Sequence, residues 1–398
     1  MGSTNSYQPM VEITRNARLE SLHRGAVAVV DARGKLVASL GNPKQPAYLR
    51  SAAKPFQALA LICSGAADAF GVTEEELALI CGSHSGEACH IAIMESLLRR
   101  TGLRAEQLHC GIHPPFDAQA RRTLVESGIT PTVLHNNCSG KHAAMLATSK
   151  HLGLTLEDYA DPEHGVQTAI QGILAFLAGL EPHEIEIGVD GCAVPAFYVP
   201  LRSFSLAMAR LAAAGEGTDE VRQEDEALED ALYDEEDEVD GTEGGGTGRA
   251  ETATGGALDG ETDESLPVSL PDGLARVWRA MISHPVIFGG SRGRLDTDLM
   301  RVAAEHGVPL VAKSGAEGVY AMAVVSDGEA YGITIKIEDG AERARNSAAI
   351  EVLRQLDLLP EEAIDLLSGY HQPVILTRRD EAVGEVNPIF RLNRGLPA

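Results

Sequence analysis

Long apolar runs are absent from the sequence. No run reaches the roughly 18 residues that a membrane-spanning helix needs. The polar first residues, Met1 to Tyr7, also lack the charged segment and the apolar stretch of a secretion signal. We therefore expect a cytoplasmic protein that has no membrane partner.

Basic and aromatic residues are scarce. The chain has 33 Lys and Arg against 58 Asp and Glu, and aromatic residues make up 4% with a single Trp. Nucleic-acid binding needs clustered Lys and Arg that neutralise phosphates, and binding of single strands also needs aromatic platforms for stacking. The composition therefore excludes nucleic acids and anionic membrane surfaces as expected partners.

Closely spaced cysteine pairs are also missing. Six cysteines are present without a CxxC motif, which excludes zinc ribbons and thioredoxin-like sites. In a long cytosolic chain we expect buried, catalytic or metal-binding cysteines and no disulfides. Lysine is rare as well, with seven Lys among the 33 basic residues. Since Arg never loses its proton, each lysine beside a hydroxyl or a thiol is a candidate for a catalytic amine.

Most of the net charge of −25 comes from one segment. Residues 216–264 contain 20 Asp or Glu and two Arg, a net charge of −18, together with Gly-rich stretches. Such a segment cannot bury enough apolar surface to offset the entropy of ordering. We predict an acidic, disordered surface insertion over 215–265.

Strand patterns lie at both ends of the chain. Residues 9–41 predict a hairpin in which 25–30 pairs with 35–40, and residues 318–325 and 329–337 predict two more strands joined at Asp327-Gly328. A further strand is expected at 184–191. Helical periodicity occurs at 52–68, 73–81, 87–100, 117–127, 141–152, 162–178, 195–214, 272–283, 295–306 and 341–357.

These patterns predict an α/β (α+β) fold. An antiparallel sheet would form from 9–41 and 313–337, with helices on its faces and a helical middle over 52–214 and 272–306. A single unit is expected over 1–365, followed by a C-terminal tail over 366–398.

Two serine motifs could carry nucleophilic chemistry. Ser51-Ala-Ala-Lys54 precedes Pro55, which is tolerated only in the first helical turn, so the helix begins near Ser51. Positions three apart share a helix face, and Lys54 could then accept the Ser51 proton. The second motif, Ser83-His84-Ser85 between glycines, is typical of a loop that approaches a ligand closely.

The segment Asn136-Asn-Cys-Ser-Gly-Lys-His142 places Cys138 and Lys141 three residues apart at the start of a helix. Cys138 could be a thiolate whose pKa Lys141 lowers. A second thiol, Cys192, lies in a similar polar turn. Two thiols plus a Lys or a His could bind zinc, although the spacing alone favours ordinary buried cysteines.

Two segments near the C-terminus complete the candidate set. Lys313-Ser-Gly before a late strand can offer an ammonium, a hydroxyl and backbone donors to a bound carbonyl. Arg292 and Arg294 in a Gly-rich loop could hold a substrate carboxylate. We expect Asp296 to cap the helix that follows.

The order SxxK, SxS and KSG resembles that of the serine β-lactamases, penicillin-binding proteins and serine-dependent glutaminases. The set Arg50-Ser-x-x-Lys-Pro, Cys81-Gly-Ser-His-Ser-Gly, Asn137-Cys-Ser-Gly-Lys-His, Asp190-Gly-Cys, His284-Pro and Lys313-Ser-Gly is similar to a closer family. This family is that of the Rhizobium etli-type L-asparaginases, also called asparaginase II or class 3. Apart from the acidic insertion, the resemblance covers residues 9–365.

The resemblance implies a β-lactamase-like fold, a homodimer and hydrolysis of L-asparagine to L-aspartate and ammonia. It also implies two Ser-Lys tandems, Ser51-Lys54 and Ser83-Lys313, and zinc held by Cys138, Lys141 and Cys192 that tunes substrate binding. In the expected mechanism Ser51 attacks the amide and a β-aspartyl ester forms, although the roles of Ser51 and Ser83 could be exchanged. The candidate substrate-binding residues are then Arg50, His84, His142, Asp190, Arg292 and Arg294.

Two alternatives remain at this stage. One is a glutaminase-like or β-lactamase-like serine acyl hydrolase, which cleavage of glutamine would distinguish from a strict asparaginase. The other is a zinc- or redox-responsive amino-acid-binding protein built on Cys138 and Cys192, which would keep its ligand after Ser51→Ala.

Overall fold

The computed structural model of the chain describes residues 6–217 and 266–395. The predicted acidic insertion, 215–265, therefore lies outside the described residues except for 215–217, where a helix ends. Among the described residues, none of the helices combines the length and the apolar character needed to cross a bilayer.

The strands come from both ends of the chain, and all of their pairings are antiparallel. They are β1 (Gln8–Arg15), β2 (Arg18–Asp31), β3 (Leu36–Leu40), β4 (Pro46–Tyr48), β5 (Glu186–Val189), β6 (Pro195–Pro200), β7 (Leu310–Ser314), β8 (Val319–Ser326), β9 (Glu329–Ile337), β10 (Val374–Leu376), β11 (Ala382–Pro388) and β12 (Asn393–Arg394). The main sheet has the order β10-β11-β1-β2-β9-β8-β7, with β3 paired to β2 and to β12.

This arrangement confirms the predicted mixed α/β fold with an antiparallel sheet. In the predicted hairpin, Val27 pairs with Leu40 and Val29 with Ala38. Strands β8 and β9 also pair directly, as their alternating apolar residues indicated. The segment predicted as a C-terminal tail differs, because β10 and β11 extend the main sheet beyond β1.

The helices surround this sheet. They are α1 (Lys54–Gln57), α2 (Leu59–Cys63), α3 (Ala66–Ala69), α4 (Glu74–Cys81), α5 (Ala88–Thr101), α6 (Ala118–Glu126), α7 (Ser139–His151), α8 (Gly165–Ala178), α9 (Leu201–Glu216), α10 (Leu270–Ser283), α11 (Pro285–Phe288), α12 (Leu295–Glu305), α13 (Glu342–Gln355), α14 (Glu361–Leu366) and α15 (Ser368–His371). Short 3-10 turns cover Arg50–Ala53, Ala105–Gln107, Val133–His135 and Pro182–Glu184.

Two helix predictions were wrong in detail. The segment 195–214 is not one helix, because its first six residues form β6 of a small second sheet ordered β4-β6-β5. Pro200 then lies at the N-cap of α9, where its fixed φ and missing N–H cost nothing. The segment 52–68 is broken into α1, α2 and α3, with Gly65 in a left-handed conformation (φ 77°) before α3.

Helix α9 lies against the middle of the main sheet. The Ser205 hydroxyl oxygen is 3.0 Å from the carbonyl oxygen of Ala28 on β2 and 2.8 Å from Oγ1 of Thr334 on β9. A Cβ atom added to Gly332 would lie 1.8 Å from the Ser205 carbonyl oxygen. The missing side chain at Gly332 therefore allows the helix to approach the sheet at this distance.

We expect Gly332→Ala to lower the free energy of unfolding by about 3 kcal/mol, because the added methyl group forces α9 away from β9. The matched control is Gly172→Ala on α8, where an added Cβ meets nothing within 4 Å. That control should raise the free energy of unfolding by about 0.5–1 kcal/mol through helix propensity. Urea denaturation measures both values, and equal stability of the two variants would contradict this account of the packing.

Candidate active site

One cavity is lined by residues from most of the serine and lysine motifs. Its volume is about 420 Å³, which suits a small molecule. It lies between the start of the Arg50–Ala53 turn, the loop after α4, the loop before α12 and the end of β7. Ser51, Ser83 and Ser314 all line it.

Ser51 is placed by a strained residue. Arg50 has a φ of 52°, in the left-handed region that side-chain-bearing residues rarely adopt. The Nε atom of Arg50 donates a 2.7 Å hydrogen bond to Oδ1 of Asp190, which holds this conformation. Ser51 is then half-buried at the cavity, and no hydrogen bond in the described residues joins its hydroxyl to Lys54.

Lys54 is hydrogen-bonded to a hydroxyl other than that of Ser51. Its Nζ atom lies 2.9 Å from the carbonyl oxygen of Gly82, 2.7 Å from that of Asn137 and 3.0 Å from Oγ of Ser83. Carbonyl oxygens only accept, so two hydrogens of the amine are committed to them. When the amine is neutral, its lone pair faces the Ser83 hydroxyl and can accept its proton.

Lys313 approaches the same hydroxyl from the other side. Its Nζ atom is 2.9 Å from Ser83 Oγ and 2.8 Å from the Ser314 carbonyl oxygen. The side chains of Lys54 and Lys313 are both fully buried. Burial lowers the pKa of each lysine below its usual value, and for Lys313 the effect outweighs the opposing charge of Asp296. The arrangement therefore favours neutral amines around Ser83.

A close backbone contact fixes the Ser83 loop. The N–H of Ser83 donates to the Phe288 carbonyl oxygen at 3.0 Å. A Cβ atom on Gly82 would lie 2.2 Å from that oxygen, so only glycine permits this approach. The loop thus brings Ser83 between two lysines from distant parts of the sequence.

The predicted zinc ligands form a second cluster beside Lys54. Cys138, Lys141 and Cys192 are buried, and the cysteines are free of disulfides. A hydrogen bond from Cys192 lowers the pKa of Cys138 and raises that of Cys192, and the nearby charge of Lys141 also favours the Cys138 thiolate. Two thiols and an amine in one buried cluster are a donor set that zinc accepts.

Asp190 joins this cluster to the strained arginine. Its Oδ2 atom is 3.6 Å from Nζ of Lys141, and its other oxygen accepts from Arg50. Burial alone would raise the pKa of Asp190, but Lys141 and Arg50 lower it to about 2. In the described ranges no group of three or more His, Cys, Asp or Glu side chains is arranged to hold a metal, so Lys141 would be needed as a ligand.

Both predicted histidines lie away from the cavity wall. His84 is fully buried, stacks on His90 at 5.1 Å and contacts Ser139 Oγ at 3.0 Å through Nε2. His142 is also fully buried, with Nδ1 2.7 Å from the hydroxyl oxygen of Tyr159. Neither histidine lines the cavity, and direct substrate contact by these side chains stays a prediction. Burial lowers the pKa of both histidines, and they support the loops around the site.

The two loop arginines differ in their partners. Arg292 forms a bidentate ion pair with Asp117, at 3.0 and 2.8 Å, so its charge is already matched. The Nη2 atom of Arg294 donates to the Ser83 carbonyl oxygen at 3.1 Å, and in the described residues it forms no ion pair within 4.0 Å. Of the two predicted carboxylate-binding residues, only Arg294 keeps its charge available.

Asp296 was predicted as a helix cap, and this was wrong. The N-cap of α12 is Arg294, so Asp296 is the second helical residue and its side chain is free for another role. Its Oδ2 atom accepts from the Ser314 hydroxyl at 2.7 Å and from the Ser314 N–H at 3.2 Å. Burial would raise the pKa of Asp296, but the charges of Lys313 and Arg294 lower it. A helix start placed two residues earlier would have suggested this from the sequence.

The family described as L-asparaginase II matches residues 11–262 and 263–388 of the chain. The matched segments contain every residue of the cavity and of the thiol cluster described above. No curated protein matches the sequence at a significant level.

The contacts of Asp117 generate a stability prediction. Asp117 pairs with Arg292 and also caps α6, through a 2.6 Å bond from the Ala120 N–H. Asp117→Asn should keep the cap and lose only the ion pair, which costs about 1 kcal/mol or less because the Arg292 side chain is 57% exposed. Asp117→Ala should cost about 1 kcal/mol more through the lost cap. Urea denaturation of both variants measures the difference, and equal losses would contradict the cap.

Proposed function

Because the chain belongs to the L-asparaginase II family, we propose that this amidohydrolase cleaves the side-chain amide of L-asparagine, giving L-aspartate and ammonia. The observation that carries the proposal is the position of Ser83 Oγ, 3.0 Å from Lys54 Nζ and 2.9 Å from Lys313 Nζ, at a cavity that Ser51 also lines. Amide hydrolysis needs a nucleophile, a base that accepts its proton and an acid for the departing ammonia. The two serines and two lysines supply these groups.

We assign the attack to Ser51. Its hydroxyl is half-buried at the cavity, and within the described residues it has no hydrogen bond that would have to be broken. Ser83 is only 3% exposed and its oxygen is held between two nitrogens. A nucleophile must present a free lone pair to the carbonyl carbon, and Ser51 meets this condition better than Ser83 does.

Ser83 then serves as a proton relay. As Ser51 Oγ bonds to the amide carbon, its proton passes to Ser83 Oγ, whose own proton passes to the neutral amine of Lys54. The resulting ammonium returns a proton by the same path to the amide nitrogen, the C–N bond breaks and ammonia leaves. A β-aspartyl ester on Ser51 remains. A water molecule next attacks this ester, its proton follows the same path, and the C–O bond to Ser51 breaks as the serine regains its proton.

Backbone donors are available for the developing oxyanion. Gly315 N–H is used by the Val319 carbonyl oxygen at 2.9 Å, but the N–H groups of Ser51 and Ala316 have no backbone acceptor among the described residues. Both residues line the cavity. Two preorganised N–H donors at the carbonyl oxygen stabilise the tetrahedral intermediate, an effect that is often the largest in such enzymes.

We propose further that Cys138, Lys141 and Cys192 hold zinc, as their donor chemistry permits. When bound, the metal supplies a positive charge beside the site that tunes substrate binding. The side chains of Asp190 and Arg50 support this cluster through their 2.7 Å ion pair. A β-lactamase-like architecture is consistent with the antiparallel sheet, with helices around it and Lys313 on its edge strand β7. The homodimer, the cytoplasmic location and the single unit over 1–365 stay predictions.

One prediction of the proposed function concerns the nucleophile. Ser51→Ala should lower kcat for L-asparagine by about 10⁴-fold or more, because it removes the hydroxyl that is assigned to form the ester. Ser149→Ala is the matched control, since that hydroxyl donates to the Met145 carbonyl oxygen at 2.9 Å within α7 and does not line the cavity. Ammonia release from L-asparagine and from L-glutamine measures activity and substrate preference.

Mass spectrometry of enzyme quenched during turnover locates the acyl adduct. An adduct of aspartyl mass on the Ser51 peptide supports the assignment, and an adduct on the Ser83 peptide would exchange the two roles. Absence of turnover with either amide, in the presence of zinc, would instead leave a binding protein as the remaining function.

Another prediction of the proposed function concerns the metal. Purified protein should carry zinc, and Cys138→Ser or Cys192→Ser should lose it, because thiolates are the strongest ligands in the cluster. Cys89→Ser is the control, since Cys89 is exposed and distant from the cluster in sequence. Metal analysis by inductively coupled plasma mass spectrometry measures occupancy. Full zinc content in the double variant Cys138→Ser/Cys192→Ser would contradict the assignment.

A further inference from the structure

The cavity wall carries charges of both signs, and most of them neutralise each other. The charged residues that line it are Asp117, Arg292, Arg294, Asp296, Glu342 and Arg345. Asp117 pairs with Arg292 at 2.8 Å, and Glu342 pairs with Arg345 at 2.8 Å. Two lining residues of opposite charge, Arg294 and Asp296, are left over.

These two residues face the same cavity without forming an ion pair with each other. In the part of the chain that the structure describes, Arg294 has no acidic partner within 4.0 Å, and its hydrogen bond goes to the Ser83 carbonyl oxygen. A guanidinium group has five N–H donors in a fixed fork, so most of them remain available. Its charge can therefore be matched by a carboxylate that enters the cavity.

The carboxylate of Asp296 has uncharged hydrogen-bonding partners but no ion pair. Oδ2 accepts both hydrogen bonds from Ser314, the Tyr320 hydroxyl also interacts with the carboxylate, and in the described ranges no basic side chain lies within 4.0 Å of it. The residue is 2% exposed and lines the cavity. The Ser314 bonds fix the orientation of the side chain, so its carboxylate has a defined position at the cavity.

We propose that Asp296 binds the α-ammonium group of the substrate and that Arg294 binds its α-carboxylate, so that the site selects a free amino acid. This inference rests on the proposed hydrolysis of L-asparagine and extends it to the groups that determine specificity. One negative and one positive charge, neither of them held in an ion pair within 4.0 Å among the described residues, complement a zwitterion that brings one of each.

The positions of Asp296 and Arg294 connect substrate binding to the catalytic groups. Asp296 is bonded to Ser314, which directly follows Lys313, and Arg294 is bonded to the residue that Lys313 contacts, Ser83. A zwitterion held by Asp296 and Arg294 is therefore fixed against the same short segments that carry the relay. Amides with only one of the two charges leave a buried charge unmatched, which weakens their binding.

Two truncated substrates separate the two contacts. Succinamate has the amide and the carboxylate of L-asparagine but no ammonium group, and 3-aminopropanamide has the amide and the ammonium group but no carboxylate. Asp296→Asn should lower kcat/KM for L-asparagine and for 3-aminopropanamide by about 30-fold, and should leave that for succinamate nearly unchanged. Arg294→Gln should show the opposite pattern, with losses for L-asparagine and succinamate only.

Asp298→Asn is the matched control for Asp296→Asn. Asp298 lies on the same helix, accepts a 2.5 Å bond from the Tyr370 hydroxyl and does not line the cavity. It should show no change in the ratio between the three substrates. An equal loss for all three substrates in Asp296→Asn would overturn the proposal, because it would make Asp296 a support for Lys313 and Ser314 alone.

Wild-type protein provides a test that does not depend on folding of the variants. Comparable kcat/KM values for L-asparagine and both truncated amides would overturn the inference while leaving amide hydrolysis intact. If none of the three amides is hydrolysed, the proposed function fails, and calorimetric titration with L-aspartate still decides the inference. Binding that weakens by about 30-fold in Asp296→Asn but not in Asp298→Asn supports it. Absence of L-aspartate binding, or equal binding by both variants, overturns it.

Discussion

The burial of two lysine amines against one serine hydroxyl is the constraint on which the site depends. Lys54 and Lys313 are both fully buried, and transfer of a charged ammonium group from water to such a position is costly. Each amine keeps hydrogen bonds to backbone carbonyl oxygens, which a neutral amine can satisfy with its two N–H groups. The neutral form, which is the form that acts as a base, is therefore favoured by the same contacts that hold the side chains in place.

The fold is arranged so that three separate segments reach this hydroxyl. Lys54 opens α1, Ser83 follows α4, and Lys313 lies on the edge strand β7. The position of Ser83 requires Gly82, where any side chain would collide with the Phe288 carbonyl oxygen. Because β7 is at the end of the main sheet, its last residues are free of a further strand and can turn toward the cavity. Tight packing of the sheet and helices thus supports a small, rigid polar site.

Sequence reasoning identified these groups but not their connections. Alternating apolar residues predicted β8, β9 and the β2–β3 hairpin, since strand periodicity is a local property. The spacing of Ser51 and Lys54 suggested a direct pair, yet Lys54 contacts Ser83, because the long lysine side chain reaches across to another segment. The pairing of Arg292 with Asp117 and the burial of His84 depend on contacts between distant residues, which no local pattern encodes. The sequence predicted a helix over 195–214 and not the β6 strand, because the apolar residues between Pro195 and Pro200 also fit the helical pattern that follows them.

In the proposed binding mode, Asp296 links recognition of the substrate to the protonation state of Lys313. In the absence of substrate, its negative charge raises the pKa of Lys313 and opposes the effect of burial. In the proposed binding mode, the α-ammonium group of the substrate matches that charge, so Asp296 no longer favours the ammonium form of Lys313. Burial and the positive charges of Lys54 and Arg294 then meet less opposition, and the neutral amine of Lys313 is favoured further. A substrate that lacks the ammonium group would bind without this effect. The α-ammonium group would therefore identify the substrate as an amino acid and also favour the neutral form of Lys313, which contacts Ser83.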